Sequence, residues 1–327
     1  MTIARLSISK ILALGSFALA LVAFIGIGAA KAAAPKVSIF TGTAVHFCPL
    51  YIADAKGYFK AEGLDVAVTM FTSGAAALES FRTGQGNLIL TGHVPSLLLW
   101  GRGEGVGIAP IAPSYENAVV VAKREIHGVG DLRGKKVATF TGATAELMLY
   151  KYLESGGLGI KDISFINLAP PEQIIALDRG DIDAFVWDGL SAVKARDVSG
   201  DRVHVLATNR NYFADWSVLS ADRGWAQANR ESVIKVLRAI RQADRFIKEQ
   251  PAEAMAVVAR YAKMQPELVQ SAFPIYEFDL TDSQKFRKDT DDMATFLIGK
   301  KTLAKPVDWS QQFDTSFLKA VDPQLVQ

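Results

Sequence analysis

The sequence predicts an α/β fold of two similar lobes that are joined by two crossings of the chain. Strand-like apolar runs alternate with helical patterns through the first two thirds, which is typical of mostly parallel sheets. The segments 77–92 and 175–188 form a faint repeat of helix, glycine turn and apolar strand. Two further strands, 118–122 and 213–219, stand outside this alternation. We expect them to mark the crossings between the lobes.

The predicted elements follow one another regularly. A strand at 37–40 precedes a helix across 50–62, and beyond residue 229 the pattern is helical, with apolar residues three and four positions apart. We assign 35–118 and 218–327 to lobe 1, and 119–217 to lobe 2. The other predicted elements are strands 66–71, 88–90 and 137–140, and helices 75–82, 94–100, 252–263, 267–273 and 283–298.

The first 34 residues differ from the rest of the chain. Arg5 and Lys10 precede an apolar run from 11 to 30, and small residues with A-x-A spacing follow. This is the pattern of a secretory signal peptide. A run of about 20 apolar residues is also long enough for a membrane anchor, but the glycines and the small-residue end favour cleavage. We therefore expect 1–34 to be a signal peptide and the mature protein to be exported and soluble.

Charge and cysteine content exclude several classes. The chain has 36 Lys and Arg against 34 Asp and Glu, and three of the basic residues lie in the segment 1–34. The remainder is nearly neutral and has no field to attract a polyanion, so we expect no nucleic-acid partner. Cys48 is the one cysteine, which excludes an internal disulfide and favours a buried apolar role.

Common catalytic patterns are missing from the sequence. The four histidines are scattered without metal-ligand spacing, and no G-x-S-x-G or phosphate-loop lysine is present. His46 and Cys48 lack a third group that would orient them as a nucleophile pair. We expect no enzymatic activity, no cofactor and no metal.

The candidate site consists of small polar residues where predicted strands end. Ligands of open α/β sheets bind at these ends, and two lobes can bring them together across a cleft. Hydroxyls and unpaired helix N-terminal amides suit a compact anion, and about six such contacts could approach micromolar affinity. The strand-end candidates are His46, Phe47, Ser73, Gly74, Thr91, Gly92, His93, Thr141, Ala143, Thr144 and Asp188.

Structural roles stay open for several candidates. Ser73, Thr141, Thr144 and Asp188 also suit helix caps, and His93 also suits a hydrogen-bonded loop position. If Asp188 is not a cap, its carboxylate could pair with an ammonium on the ligand. Core or hinge packing is the alternative to a ligand-facing aromatic wall for Tyr115, Trp187 and Trp216.

Four stretches carry a resemblance to a known family. Residues 49–66 (PLYIADAKGYFKAEGLDV) are similar to its first-helix signature, and 131–137 (DLRGKKV) to its entry into the second lobe. Residues 140–145 match its ligand loop, and 180–188 (GDIDAFVWD) match its following strand. The family is that of the nitrate/sulfonate/taurine-type solute-binding proteins of ABC importers, which also includes binders of thiamine pyrimidine precursors.

The resemblance implies a type II periplasmic-binding-protein clamshell with two hinge strands. It implies a small-molecule ligand, no catalysis, and delivery to a permease and its ATPase at the inner membrane; we expect a periplasmic monomer. Asp188 would hold an ammonium on a taurine-like ligand. On the family pattern the anion would be held from lobe 2 by Thr141, Ala143, Thr144 and Ala145, and from lobe 1 by Ser73, Gly74, Thr91, Gly92 and His93.

Departures from the family pattern bear on the ligand. Serine is frequent at the position of Ala143 and proline at that of Gly189, and His93 replaces acidic or small residues. The stretch 46–48 is bulkier and more apolar than nitrate requires. We expect a small organic anion, first of all a sulfonate. The alternatives are a thiamine pyrimidine precursor, nitrate or bicarbonate, and, in other classes, an enzyme on the same fold or a ligand sensor.

Overall fold

The structure is a computed structural model that describes residues 34–327, except for the side chain of Ala75. Residues 34–327 form one compact unit. The predicted signal peptide lies outside the described residues, apart from its last residue. Within residues 34–327, the helices are all too short or too polar to cross a membrane.

Ten strands form two five-stranded sheets with the same internal pattern. The first sheet has the order β2-β1-β3-β10-β4 and the second the order β7-β6-β8-β5-β9. In each, three parallel strands are followed by one antiparallel strand, which is β10 in the first sheet and β5 in the second. The strands are β1 Lys36–Gly42, β2 Asp65–Phe71, β3 Leu88–Gly92, β4 Val106–Ser114, β5 Val119–Lys123, β6 Lys136–Thr139, β7 Ser164–Asn167, β8 Ala184–Trp187, β9 Val203–Thr208 and β10 Asp215–Ala221.

Helices cover both sheets and form the C-terminal part of the described chain. They are α1 Cys48–Ala55, α2 Tyr58–Ala61, α3 Gly74–Ser80, α4 His93–Gly101, α5 Thr144–Ser155, α6 Pro170–Arg179, α7 Gly189–Ser199, α8 Arg223–Ala228, α9 Arg230–Glu249, α10 Pro251–Ala262, α11 Pro266–Ala272, α12 Gln284–Gly299, α13 Trp309–Gln312 and α14 Ser316–Val321. A π-helical turn at Phe81–Gln85 and short 3₁₀ turns connect several of them.

The helix predicted across 50–62 is two helices, α1 and α2. Gly57 between them has φ +73°, a left-handed conformation that a side chain disfavours. Tyr51 on α1 is fully buried, and its hydroxyl donates to the Gly42 carbonyl at 2.8 Å and accepts from the Ala44 amide at 3.3 Å. The first helix thereby fixes the loop that follows β1.

The sheets define two lobes, and the chain changes sheets twice. The changes fall between Ser114 and Val119 and between Thr208 and Asp215. We call the part with the first sheet lobe 1 and the part with the second sheet lobe 2. The boundaries predicted at 118/119 and 217/218 stay a proposal; because 217/218 lies inside β10, we propose the second crossing at 209–214.

A buried asparagine ties the two crossings together. The Asn209 amide nitrogen donates to the carbonyls of Ser114 at 2.8 Å and Phe213 at 2.9 Å. Its amide oxygen accepts from the Ala118 backbone at 3.0 Å, and its own backbone N–H donates to the Ala118 carbonyl at 2.9 Å. These bonds satisfy backbone groups that neither sheet pairs at the crossings.

The core of lobe 1 lies between its sheet and helices α1, α9 and α10. Val233, Val236, Leu237 and Ile240 of α9 are all fully buried, as their spacing predicts. Asp244 lies on the same buried side, and its Oδ1 has no hydrogen-bond partner among the residues described. Burial raises the pKa of this carboxyl well above its usual value.

We predict that Asp244→Asn stabilises the protein at pH 7. A raised folded-state pKa means that stability is full below the unfolded pKa of about 3.9 and is lost as pH rises above it. The asparagine escapes this loss, so the free energy of unfolding should rise by at least about 1 kcal/mol at pH 7 and match the wild type near pH 4. Urea unfolding across this pH range measures the difference. Asp197→Asn, on the exposed side of α7, is the control, and a destabilised or pH-independent Asp244→Asn would contradict the prediction.

Candidate functional site

Equivalent threonines hold the strand ends in place in the two lobes. In lobe 1 the Thr41 hydroxyl donates to the Leu90 carbonyl at 3.0 Å, joining the ends of β1 and β3. In lobe 2 the Thr139 hydroxyl donates to the Val186 carbonyl at 2.8 Å, joining β6 and β8. Both side chains are fully buried. The loops that carry most of the predicted site residues therefore start from matching, hydrogen-bonded strand ends.

Glycines bring the lobe 1 candidates close together. A Cβ on Gly42 would lie 2.7 Å from the Gly74 amide nitrogen, so the loops after β1 and β2 touch at backbone distance. A Cβ on Gly74 would contact Thr91 at 3.6 Å, whereas the space beside Gly92 is open. Gly74, Thr91 and Gly92 thus form one small patch.

Several predicted residues are engaged within the fold. The Ser73 hydroxyl accepts from the Ala76 amide at 3.1 Å and caps α3, and an Asp188 oxygen accepts from the Ser191 amide at 2.7 Å and caps α7. The buried Thr91 hydroxyl lies 2.9 Å from that of Ser96. Buried positions within the apolar core are occupied by Phe47, Ala145 and Trp216.

His93 is buried and uncharged. The Thr290 hydroxyl donates to the Phe286 carbonyl at 2.7 Å, so the His93 Nε2, 2.8 Å away, must be the donor to Thr290. The Nδ1 atom has no partner among the described residues. Burial lowers the pKa of His93 to about 3. The residue therefore offers no positive charge to an anion at neutral pH.

His46 and Tyr115 lie half-buried near the crossings. The His46 ring is 4.1 Å from that of Phe47 and 5.4 Å from that of Tyr276, and burial lowers its pKa to about 4. The Tyr115 ring has the Lys285 ammonium at 5.5 Å and the Arg210 guanidinium at 5.7 Å. Tyr115 thus has cations near its ring, while His46 is neutral at pH 7.

The start of α5 is the clearest candidate for an anion. Thr144 and Ala145 have amides without a hydrogen-bond partner within residues 34–327. Ala143 at the N-cap has no side-chain acceptor, and Gly142 has φ +83°. Thr141 is exposed, and its amide donates to the Asn167 side chain at 3.0 Å. Free amides at the positive end of a 12-residue helix favour a negative group.

A carboxylate that sequence reasoning missed lies beside this helix start. Asp215 opens β10, and its Oδ1 accepts from the Thr144 hydroxyl at 3.4 Å and its Oδ2 from the Asn117 amide at 2.8 Å. The Tyr276 hydroxyl donates to Asn117 at 3.1 Å. Within the part of the chain described, no Lys, Arg or His nitrogen lies within 4 Å of Asp215. The only sequence signal was a polar residue in the second crossing strand.

Asp215 changes the charge of the site. The residue is partly exposed to solvent. Burial raises the pKa of its carboxyl to about 6, whereas the hydrogen bonds from Asn117 and Thr144 lower this pKa. At pH 7 it is mostly ionised, and a negative carboxylate beside the helix start opposes a simple anion. The site therefore favours either a protonated Asp215 or a ligand with its own positive group.

A second acidic residue, Glu146, lies within the first turn of α5. Its Oε2 accepts from the Gly142 amide at 2.8 Å, and its Oε1 forms an ion pair with Lys300 at 2.6 Å. The carboxylate is 1% exposed. Through its bond to the Gly142 amide, Glu146 supports the loop 141–144. Glu146 was not among the predicted residues.

A mainly apolar groove lies apart from these residues. It has a volume of about 290 Å³ between α7 and β9 of lobe 2 and α11 of lobe 1. Leu190, Val193, Val205 and Ile275 line it, and none of the fourteen predicted residues does. We give more weight to the strand ends, because the groove offers mainly apolar side chains. Among residues 34–327 no cluster of His, Cys, Asp and Glu suits a metal ion.

Cys48 is a core residue. It is fully buried and not in a disulfide. Burial raises the pKa of its thiol well above the usual value, and the nearby Asp244 acts in the same direction. The thiol stays protonated at neutral pH, so His46 and Cys48 do not form an activated nucleophile.

Two lobes with matching sheets that are joined by two short crossings define a clamshell of the periplasmic-binding-protein type. The family model described as NMT1/THI5 like matches residues 44–254, and the chain belongs to this family. This confirms the family that the motifs indicate.

Relatives and solved structures agree with the family. A protein of Escherichia coli, provisionally named an aliphatic sulfonates-binding protein, is 29% identical over 58% of this chain and 60% of its own length. The taurine-binding periplasmic protein of the same organism is 28% identical over 63% and 61%. The chain thus matches less than two thirds of either relative. The crystal structure of the periplasmic aliphatic sulphonate binding protein SsuA from Escherichia coli is 21% identical, with a TM-score of 0.74 over 85% of this chain and 97% of that one.

An enzyme shares the fold as well. The desulfurization enzyme DSZB superposes with a TM-score of 0.67 at 16% identity, over 88% of this chain and 98% of the enzyme. At this identity the likeness concerns the fold alone. The predicted α/β two-lobed fold is confirmed, but the fold does not separate binding from catalysis.

Proposed function

We propose that this protein is the solute-binding component of an ABC importer in the periplasm. Its ligand would be a small organic anion, with a sulfonate as the first candidate, bound between the lobes and delivered to a permease and its ATPase. The observation that carries the proposal is the start of α5, where the Thr144 and Ala145 amides have no partner in the described chain. The named roles of the two relatives support the same ligand class.

The charges near the site suggest how the anion is held. Neither His46 nor His93 is protonated at pH 7, so backbone amides and hydroxyls would supply the contacts. Thr144 from lobe 2, with Gly74 and Gly92 from lobe 1, are the groups we assign to the ligand. Neutral contacts of this kind contribute about 0.5–1.5 kcal/mol each. An affinity in the micromolar range would need several of them together.

We predict that Thr144→Ala weakens methanesulfonate binding by about three- to tenfold, because one hydroxyl contact is lost. Isothermal titration calorimetry on the protein freed of carried-over ligand measures the effect. Thr83→Ala, an exposed threonine of the π-helical turn, is the control and should bind as the wild type does. Equal affinity of Thr144→Ala and wild type, with a lowered melting temperature, would make Thr144 a structural residue only.

Asp215 favours a second candidate, a zwitterionic aminosulfonate such as taurine. Asp188, the residue that the family resemblance assigns to an ammonium, has one oxygen occupied as the α7 cap. Asp215 has no cation within 4 Å among the residues described and lies next to Thr144. We therefore assign the ammonium to Asp215 instead.

The two candidates differ in their pH dependence. With a pKa of about 6, Asp215 becomes neutral as pH falls to 5. We predict that methanesulfonate then binds more tightly, because repulsion is removed, whereas taurine binds more weakly, because its ammonium loses a partner. Calorimetry from pH 5 to 8 gives both trends. Asp215→Asn should abolish both and Asp188→Asn neither, and pH-independent binding of both ligands to the wild type would exclude Asp215 from the site.

We infer no catalytic role, although an enzyme shares the fold. The protonated, buried Cys48 and the neutral histidines support this inference, because the site then lacks an activated nucleophile. Release of sulfite from methanesulfonate or taurine would contradict it. Binding of a pyrimidine, of nitrate or of bicarbonate in place of sulfonates would keep the transport role and change the ligand class.

A further inference from the structure

Helix α12 belongs to lobe 1 but ends against lobe 2. It packs against α4, its Thr290 bonds His93, and its Asp289 accepts from the Trp216 indole at 3.0 Å. Lys300, directly after the helix, places its ammonium 2.6 Å from Glu146 of lobe 2. The helix therefore connects the buried edge of the lobe 1 site with the start of α5.

The contact between α12 and α5 combines charge and packing. The Lys300 ammonium also lies 3.3 Å from the Tyr150 hydroxyl, and the ring of Phe296 meets that of Tyr150 edge-on at 5.3 Å. Hydrogen bonding to Glu146 raises the pKa of Lys300, so the ammonium stays charged. In the described chain this is the ion pair that joins the bodies of the two lobes; the others lie within one lobe or at the crossings.

One carboxylate serves both the ligand loop and the other lobe. Glu146 is 1% exposed, with Oε2 on the Gly142 amide and Oε1 on Lys300. A buried carboxylate that loses its cation is strongly unfavourable. If the lobes separate at this point, Glu146 loses its ion pair with Lys300 and must be hydrated or form another contact. The loop 141–144, which Glu146 bonds at Gly142, is then held less firmly.

We propose that Glu146 and Lys300 are positioning residues that hold the lobes together at the ligand loop before a ligand binds. Ligand affinity then depends on this ion pair, because apparent affinity falls with the populated fraction of the binding-competent arrangement. This inference rests on the proposed function, since it takes the loop 141–144 as the place where the anion binds.

The lobe arrangement can be tested without a ligand. Ala67→Cys on β2 and Ser164→Cys on β7 give exposed spin-label sites in the two lobes, and the buried Cys48 should not react. Pulsed electron paramagnetic resonance on the full mature chain measures the distance between the two labels. In Lys300→Met the distribution of this distance should be longer or broader than in the wild type. Lys288→Met removes the exposed Lys288–Asp292 pair of the same helix and should give the wild-type distance distribution. Lys300→Arg keeps a cation at position 300 and should also give the wild-type distribution.

The double variant Lys300→Met/Glu146→Gln guards against simple unfolding. The glutamine oxygen can still accept from Gly142, and no unpaired buried charge remains. We expect a melting temperature near that of the wild type, together with separated lobes. An unchanged distance distribution in both Lys300→Met and the double variant would overturn the proposal.

A second arm measures binding with methanesulfonate and taurine as probes. Lys300→Met and the double variant should show dissociation constants raised by about tenfold, while Lys288→Met and Lys300→Arg should bind as the wild type does. Separated lobes with unchanged affinity would overturn the positioning role. If the distances change as expected but wild type binds neither probe, the ion pair still joins the lobes and the proposed sulfonate ligand is wrong.

Discussion

The relation between the lobes depends on the backbone hydrogen bonds that Asn209 supplies at the two crossings. At these points the chain leaves one sheet before it enters the other, so its amides and carbonyls have no strand to pair with. A single asparagine side chain bonds Ser114, Ala118 and Phe213 and keeps both crossings side by side. Asparagine suits this role because it both donates and accepts. Everything that faces the cleft is positioned relative to this pair of crossings.

In the proposed site, the two lobes hold their strand ends in the same way but differ in charge. Thr41 and Thr139 join equivalent strand ends, and small residues follow in each lobe. Lobe 1 offers backbone at Gly74 and Gly92 and a neutral His93. Near the start of α5 lie two carboxylates: Glu146 pairs with Lys300, whereas Asp215 has no cation within 4 Å in the part of the chain that the structure describes. On the proposed function, the charge of Asp215 would decide whether the protein prefers a simple sulfonate or an aminosulfonate.

The sequence predicted the features that depend on local pattern. Burial periodicity indicated the alternation of strands and helices, and the glycine turns before β3 and β8 indicated a repeat that the two sheets share. The break at Gly57 was missed because the helical spacing of apolar residues continues on both sides of this left-handed glycine. The α9 pattern indicated which side of the helix is buried, but it gave no sign that this side includes Asp244, whose Oδ1 has no hydrogen-bond partner within residues 34–327.

The sequence led to candidate site residues only at strand ends, and their contact with a ligand stays a prediction. Ser73 and Asp188 had two interpretations, and each caps its helix in the structure. Asp215 and Lys300 were missed because their partners are distant: Asp215 lies 71 residues from Thr144, and Lys300 lies 154 residues from Glu146. No spacing rule connects such pairs. Their meeting follows from the two crossings and from the return of α12 to the second lobe.

The most direct test of the account is an amide-resolved NMR titration of the deuterated, ligand-free protein with methanesulfonate. If the anion binds between the lobes at the start of α5, the Thr144 and Ala145 amides of lobe 2 and the Gly74 and Gly92 amides of lobe 1 should shift together, with one dissociation constant. Shifts confined to the groove around Val193 and Val205, or to one lobe only, would contradict binding of the anion in the cleft.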